Sequence, residues 1–282
     1  MFLIYNLTMP ELPEVETIVR QLREGQPAHD SSVIGKSIRS VTVKWPRHVA
    51  RPSARLLQQE LRGQTVQSLS RRGKYLIFKL SGGALLIHLK MSGDLKLVPA
   101  GAAADRHAHT IFHFTDGTAL RFSDTRKFGK VFWVNEAEEV TGALGPETLE
   151  PGFTAARLGA MLAQHSRALK PLLLDQTFIA GLGNIYTDEA LHLARLHPLR
   201  RSDSLTPAEV RALWKGIRRA LRSGIRHNGA SIDWVYRGGD FQHHFRVYDR
   251  AGKPCPDCGT PIRRIVVGQR GTHYCPQCQP LP

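Results

Sequence analysis

All four cysteines of this 282-residue chain lie within its last 28 residues, with the spacing Cys-x2-Cys-x16-Cys-x2-Cys. Each pair, Cys255 with Cys258 and Cys275 with Cys278, has the spacing with which two thiolates bind one tetrahedral zinc ion. The segment 262–274 favours a hairpin that brings the pairs together. Two disulfides or free thiols are the alternatives. Because four thiolates leave no coordination position open, we predict one structural zinc ion.

The chain carries a net charge of +15, a large excess that favours a polyanionic partner. Nucleic acid ranks ahead of an anionic membrane because the sequence contains no basic amphipathic anchor. A solvated basic surface without a partner is the alternative. No apolar run has the length of a membrane span, and residues 1–7 lack the basic leader of a signal peptide. We therefore expect a cytoplasmic protein without a membrane partner.

The hydrophobic pattern divides the chain into a β part and a helical part. A helix is predicted at 14–23, and short alternating segments typical of a β-sandwich or barrel follow between residues 33 and 134. Gly and Pro are frequent at 144–153, which predicts a linker. Strands are predicted at 37–43, 65–69, 75–80, 84–89, 110–114 and 130–134.

Past the linker the pattern becomes helical. Thr206-Pro207-Ala208-Glu209 is a capping box with proline at the first helical position, and Asn228-Gly229 ends the predicted helix. A second helix is predicted to begin at Asn184, after Gly181-Leu182-Gly183. Backbone N–H groups at such a helix start can bind a phosphate, and we predict a phosphate site there.

The segment Met9-Pro10-Glu11-Leu12-Pro13-Glu14-Val15-Glu16 permits two interpretations. The simpler one is a helix start, because proline suits the first turn and glutamates complement the helix dipole. The other begins from a chain that starts at Pro10, whose secondary amine would lie beside the carboxylate of Glu11. An α-amino group has a pKa of about 7.7–8.0 and is partly unprotonated at neutral pH. Such an amine suits Schiff-base chemistry on a sugar aldehyde carbon. Eight residues precede Met9, and while they are attached Pro10 has no amine.

Taken together, the motifs closely resemble the bacterial formamidopyrimidine-DNA glycosylase family, in an order that spans residues 9–278. The motifs are Pro-Glu-Leu-Pro-Glu-Val-Glu, Arg-Gly-Lys74-Tyr-Leu, His88-Leu-Lys-Met91-Ser-Gly, Asp124-Thr-Arg126-Lys-Phe128-Gly, Lys170-Pro-Leu-Leu-Leu-Asp-Gln, Gly-Leu-Gly-Asn184-Ile-Tyr and the four cysteines. The resemblance implies an α+β protein with an N-terminal β-sandwich and a helix–two-turn–helix domain that ends in a four-cysteine zinc finger. It also implies a monomer that excises oxidised purines, such as 8-oxoguanine and formamidopyrimidines, from double-stranded DNA and then cleaves the strand by β,δ-elimination.

The resemblance further implies roles for individual residues. Pro10 would attack the sugar C1′ as the nucleophile, and Glu11 would donate and shuttle protons. Lys74 and Arg270 would assist the two eliminations. Three residues, Met91, Arg126 and Phe128, match those that fill the gap left by the flipped base. The remaining predicted DNA contacts are His88, His107, His165, Lys170, Asn184 and Tyr248.

Two rival functions stay open. Nei-type relatives, which favour oxidised pyrimidines, share the scaffold, and the segment 231–240, expected to cover the lesion, matches no residue pattern we can assign. A catalytically silent protein that binds damaged DNA is the other rival, if residues 1–8 are retained. The predicted domains are an extension at 1–8 absent from the mature protein, a catalytic β-sandwich at 9–143, a linker at 144–153, a helix–two-turn–helix domain at 154–245 and a zinc finger at 246–282.

Overall fold

The computed structural model describes residues 9–25, 32–231 and 238–281. The predicted extension 1–8 and residues 232–237 of the predicted lesion-covering segment lie outside them. The described residues form two compact units. One, here the β unit, contains residues 14–25 and 32–143, and the other, the helical unit, contains residues 9–13, 144–231 and 238–281. Residues 9–13 thus belong to the helical unit; the predicted domain boundaries stay a prediction.

The β unit contains nine of the strands that the structure describes. They form a four-stranded sheet in the order β1-β7-β8-β6 and a five-stranded sheet in the order β2-β9-β5-β4-β3. Most neighbours pair antiparallel, and β2 with β9 is parallel. The strands are β1 Ile38–Val43, β2 Val49–Arg51, β3 Val66–Arg72, β4 Tyr75–Leu80, β5 Gly83–His88, β6 Gly93–Pro99, β7 Ala108–Phe114, β8 Thr118–Asp124 and β9 Lys130–Val134.

The two sheets share one apolar core, which confirms the predicted β-sandwich. Phe78 and Ile87 enter this core from the five-stranded sheet, and Phe112 and Phe122 enter it from the four-stranded sheet. One face of helix α1, Leu12–Glu24, packs its apolar residues into the same core. Two short helices, α2 Ala54–Glu60 and α3 Glu138–Thr141, complete the unit.

The helical unit follows the predicted order of helices and then a hairpin. Its elements are α4 Ala155–Ala163, α5 Leu169–Leu174, α6 Asn184–Ala194, α7 Pro207–Arg226, β10 Arg263–Val267 and β11 Arg270–Tyr274. Thr206 and Glu209 form the predicted capping box at the start of α7. After α7, Asn228 and Gly229 both have positive φ, which confirms the predicted helix end. Among the described residues, no helix is both long and apolar enough to cross a membrane.

Tyr186 and Leu191 of α6 and Leu213 and Ile217 of α7 are fully buried in the core of the helical unit. Strands β10 and β11 pair antiparallel from Arg263 opposite Tyr274 to Val267 opposite Arg270. This pairing confirms the hairpin predicted at 262–274. The α+β class predicted from the sequence is therefore correct.

Candidate functional site

Glu11 is held against the N-terminus of α6. Its carboxylate accepts hydrogen bonds from the backbone N–H groups of Gly183 at 2.7 Å, Ile185 at 2.9 Å and Tyr186 at 3.3 Å. These are donors that a helix start leaves without an intrahelical partner, and the positive end of the helix dipole favours an anion there. Glu11 is 1 % exposed and Pro10 is buried. The carboxylate beside Pro10 is therefore fixed in one orientation by the backbone.

The prediction of a phosphate site at these same donors is wrong, because Glu11 occupies them. Gly183 is required for this contact, since a Cβ atom there would lie 2.3 Å from Cδ of Glu11. Gly181 has φ +97° and approaches Leu12 closely, with the Leu12 N–H donating to its carbonyl at 3.1 Å. The Gly-Leu-Gly segment thus binds a side chain of the protein itself.

Lys170 and Asn184 connect α5 and α6 to the hairpin. Both side chains donate to the carbonyl oxygen of Gly271, Lys170 Nζ at 3.0 Å and Asn184 Nδ2 at 3.1 Å. Lys170 also pairs with Asp188 at 2.6 Å, and both side chains are fully buried. Burial lowers the pKa of Lys170, and the charge of Asp188 opposes that change. These contacts fix the backbone next to Arg270, whose side chain is exposed.

Tyr248 is also buried, with 1 % exposure, and burial raises its pKa above the usual range. Its backbone N–H donates to the carboxylate of Glu189 at 2.9 Å. His165 packs edge-on against Phe178, with ring centroids 5.3 Å apart. DNA contacts by Lys170, Tyr248 and His165 stay predictions, and the structure places the first two side chains inside the helical unit.

The four cysteine sulfur atoms lie as close together as the ligands of a tetrahedrally coordinated ion. The Sγ separations are 3.9 Å for Cys255 and Cys278, 3.5 Å for Cys258 and Cys275 and 3.4 Å for Cys258 and Cys278. Zn–S bonds of about 2.3 Å in a tetrahedron place sulfur atoms about 3.8 Å apart. All four thiols are unbridged. The residues fit one structural zinc ion, and the alternative of two disulfides is excluded.

His192 of α6 supports this zinc site and was not predicted from the sequence. Arg246 Nε lies 3.4 Å from its Nδ1, and Cys255 Sγ lies 3.4 Å from its Nε2. Arginine can only donate, so Nδ1 accepts and the ring hydrogen sits on Nε2, from where it donates to the sulfur. Burial, with Arg246 adding to it, lowers the pKa of His192 to about 4. The imidazole is therefore neutral at pH 7.

In the β unit, Lys74 and His88 lie at adjacent ends of paired strands. Lys74 precedes β4 and is 7 % exposed, and Tyr75 of β4 is paired with His88 of β5. The His88 ring accepts a hydrogen bond from the Lys90 N–H at 3.0 Å. Burial, with the nearby charges of Lys90 and Lys74, lowers the pKa of His88 to about 3. His88 is thus a neutral group next to a predicted catalytic lysine.

One carboxylate organises the two loops that carry Met91, Arg126 and Phe128. Asp124 accepts hydrogen bonds from the hydroxyl of Ser92, from the Arg126 N–H at 3.2 Å and from the Gly129 N–H at 2.7 Å. Ser92 in turn accepts from the Arg126 N–H at 3.0 Å. The Arg126 guanidinium lies 5.0 Å from the Phe128 ring centroid, and Phe128 is 47 % exposed. The structure thus joins the two loops that carry these residues and brings Arg126 and Phe128 into contact.

His48 belongs to the same hydrogen-bond network and was not predicted from the sequence. Its Nε2 lies 3.4 Å from Asp124, its Nδ1 lies 3.2 Å from the hydroxyl of Thr110, and its ring stacks on Phe122. His107 joins the same region, because its carbonyl accepts from the Asp124 N–H at 2.9 Å. An aspartate before the Arg-Lys-Phe-Gly segment was the only signal in the sequence for this network.

Comparisons with known proteins bear on these sites. Residues 9–131 match the formamidopyrimidine-DNA glycosylase N-terminal domain, residues 144–235 the H2TH domain of the same proteins, and residues 252–281 a zinc finger found in FPG and IleRS. The formamidopyrimidine-DNA glycosylase of Enterococcus faecalis is 45 % identical, over 97 % of this chain and 98 % of its own length. That of Symbiobacterium thermophilum is 44 % identical, over 97 % and 90 %.

Solved structures agree with these matches. Lactococcus lactis Fpg bound to DNA containing N7-benzyl-Fapy-dG has a TM-score of 0.88 and 36 % identity, over 96 % of this chain and 100 % of that one. The same protein bound to DNA with an abasic site has a TM-score of 0.87 and 35 % identity over the same shares. MutM bound to DNA with carbocyclic 8-oxo-G has a TM-score of 0.88 and 35 % identity, again over 96 % and 100 %.

Proposed function

The chain belongs to the formamidopyrimidine-DNA glycosylase family, and from that premise we propose that it is a bifunctional DNA glycosylase and abasic-site lyase for oxidised purines. Its substrates are 8-oxoguanine and formamidopyrimidines in double-stranded DNA. The relatives' names and the DNA in the similar structures support this substrate class. The protein acts as a monomer.

The fixed position of Glu11 is the observation that carries the proposal. In a chain that begins at Pro10, the secondary amine attacks the sugar C1′ and forms a C–N bond while the glycosidic bond breaks, and the proton of the new ammonium group passes to the leaving base. Glu11 in its acid form then donates a proton to the sugar ring oxygen as the ring opens, which gives the iminium ion and the Glu11 carboxylate. A carboxylate bound by three backbone N–H groups keeps one place through these steps, so proton transfer requires no rearrangement.

Strand cleavage follows from the iminium ion. Loss of a proton from C2′ breaks the bond from C3′ to its phosphate oxygen, and a second elimination releases the 5′ phosphate. Lys74 assists the first step and Arg270 the second, each through its positive charge at a departing phosphate. The buried contacts of Lys170 and Asn184 with Gly271 hold the backbone beside Arg270.

The base must leave the stack before it reacts, at a cost of a few kcal/mol. Met91, Arg126 and Phe128 fill the resulting gap. Their two loops share the Asp124 and Ser92 hydrogen bonds, which supports their acting as one wedge. The net charge of +15 supplies the attraction to the phosphate backbone.

Borohydride trapping on an 8-oxoguanine duplex tests the mechanism. We expect a covalent adduct with protein that begins at Pro10 and none with protein that retains residues 1–8, because an amide nitrogen cannot form an imine. The N-terminal sequence and intact mass identify each form. Absence of an adduct with the Pro10 form would reduce the protein to a binder of damaged DNA. Faster excision of an oxidised pyrimidine than of 8-oxoguanine would instead favour the Nei-type function.

Matched variants test the assisting residues. Lys74→Ala should slow strand cleavage. Lys79→Ala should leave it unchanged, because Lys79 lies further along, in β4, with a side chain that is 48 % exposed. Arg270→Ala should slow only the second elimination, and Arg263→Ala on the partner strand of the hairpin is its control. If both variants of a pair slowed cleavage equally, the role assigned to Lys74 or Arg270 in that pair would be wrong.

A further inference from the structure

Three potential metal ligands converge just beyond helix α7. His227, Asp240 and His244 each offer one ligand atom, and these atoms all lie within 4.8 Å of one another. His227 Nδ1 is 3.2 Å from one carboxylate oxygen of Asp240, and His244 Nε2 is 3.9 Å from the other. The two imidazole rings lie close together, with centroids 3.7 Å apart and their planes inclined by 33°. This cluster is separate from the cysteine site and has no part in the proposed catalysis.

The backbone places these three residues. His227 is the C-cap of α7, and its carbonyl accepts from the Asp240 N–H at 3.0 Å. A second backbone hydrogen bond joins the same two segments: the Phe241 N–H donates to the carbonyl oxygen of Gly229 at 3.0 Å. Ser231 exchanges hydrogen bonds with Gly239 at 2.7 and 2.9 Å. The segment 239–241 is therefore pinned to 227–231, and His244 follows Asp240 by one turn.

The chemistry of the set suits a transition-metal ion. Two imidazoles and one carboxylate form a ligand set that zinc, nickel and copper prefer over magnesium or calcium. Asp240 is 61 % and His244 44 % exposed, so an ion can reach them. Two ligand atoms bound to one ion at about 2.0–2.2 Å lie at most about 4.4 Å apart, close to the separations of up to 4.8 Å in this cluster.

We propose that His227, Asp240 and His244 form a second metal site, which binds one divalent first-row transition ion with water in the remaining positions. The site is independent of the four-cysteine zinc site and of the proposed glycosylase activity. Its three ligands come from the end of α7 and from the short 3-10 helix Phe241–His244 with the residue before it. An ion bound there links the segment that precedes residues 232–237 to the segment that follows them.

Metal counting by equilibrium dialysis of the full chain, with its structural zinc bound, tests the proposal. We expect two zinc ions per wild-type chain and one in His227→Asn and in His244→Asn. His243→Asn is the matched control, because His243 adjoins His244 and is not in the cluster; it should retain two ions. Cobalt provides a second readout, since the additional ion should show ligand-field bands without the thiolate-to-cobalt charge transfer of a cysteine site. Retention of the first ion shows that each variant is folded.

Two results would overturn the proposal. One is a wild-type chain that binds a single zinc ion under conditions in which the cysteine site is full, which would leave the cluster as a group of polar contacts that binds no ion. The other is loss of the second ion in His243→Asn, or its persistence in both ligand variants, which would place the ion elsewhere.

Discussion

Asp124 fixes two neighbouring loops through the hydrogen bonds that its carboxylate accepts. Its carboxylate is fully buried and receives hydrogen bonds from Ser92, Arg126 and Gly129, with His48 against the same group. Burial alone would raise the pKa of Asp124, but these hydrogen bonds, with that of His48 foremost, lower it to about 2. The ionised form is therefore the one that holds the loops carrying Met91, Arg126 and Phe128.

The first prediction concerns Asp124→Asn. The native pKa lies below that of the unfolded chain, so the carboxylate stabilises the protein above about pH 4 and loses this contribution as the pH falls toward 2. We expect the variant to be less stable by about 2–3 kcal/mol at pH 7. The difference between the two proteins should shrink as the pH falls from about 4 to about 2. Urea unfolding at several pH values measures it.

The exposed carboxyl of Glu60 provides the control. Glu60→Gln should stay within about 0.5 kcal/mol of wild type at every pH, as surface substitutions usually do. A difference for Asp124→Asn that stays constant from pH 7 to about pH 2 would mean that shape, and not charge, accounts for the effect.

For individual residues, the sequence predicts those that belong to a recognisable spacing or motif. The four cysteines are of that kind, and their spacing alone led to the zinc site. The contacts of Asp124, His48 and His192 are not, because they join residues up to 76 positions apart in the chain and no local pattern encodes such contacts. Lys170 was recognised as a motif residue, but its buried pairing with Asp188 depends on the packing of α5 against α6.

Among the elements, α6 is the one whose start is built into the candidate active site. Its first backbone donors bind Glu11, and Gly183 leaves room for that carboxylate. The sequence predicted the start of α6 correctly but assigned the donors to a phosphate. A helix N-terminus attracts any anion, and local sequence cannot tell whether a side chain from 172 residues away already occupies it.

The second prediction concerns Gly183→Ala. The new Cβ would lie 2.3 Å from Cδ of Glu11, so the carboxylate must leave its three donors. We expect a loss of stability of about 1–3 kcal/mol, as for other overpacked sites, and at least a tenfold slower formation of the trapped adduct. Gly152→Ala is the control, because a Cβ there meets only the flexible end of Arg157, at 3.9 Å. If Gly183→Ala trapped DNA at the wild-type rate, the fixed position of Glu11 would be irrelevant to catalysis.

The strands show why some elements were found and others were not. Tyr75–Leu80 and Lys130–Val134 match their predicted bounds, since both have β-branched or aromatic residues between clear turn signals. Strands β2, β6 and β8 were not among the strands predicted individually. Gly93–Pro99 contains glycine, aspartate and proline, and its strand state depends on pairing with β8 along its whole length rather than on propensity.

At the scale of the whole molecule, the two units have separate apolar cores. The core of the β unit draws on α1 and both sheets, and that of the helical unit on α4 to α7. A separate, small cluster surrounds the zinc cysteines with Val247 and Ile262. With so few apolar residues, the hairpin depends on its metal, since structural zinc sites supply the folding free energy that a small core lacks.

The third prediction follows from this division. Removal of zinc by a chelator should abolish amide-hydrogen protection in β10 and β11 and weaken it at the starts of α5 and α6, whose Lys170 and Asn184 donate to Gly271. Protection in β4 and β5 should be unchanged, because these strands belong to the other core. Hydrogen exchange measured by mass spectrometry follows each segment, and Cys258→Ser disrupts the four-cysteine site without a chelator. Loss of protection in both units together would mean that the two cores unfold as one, and that the zinc finger stabilises the whole chain.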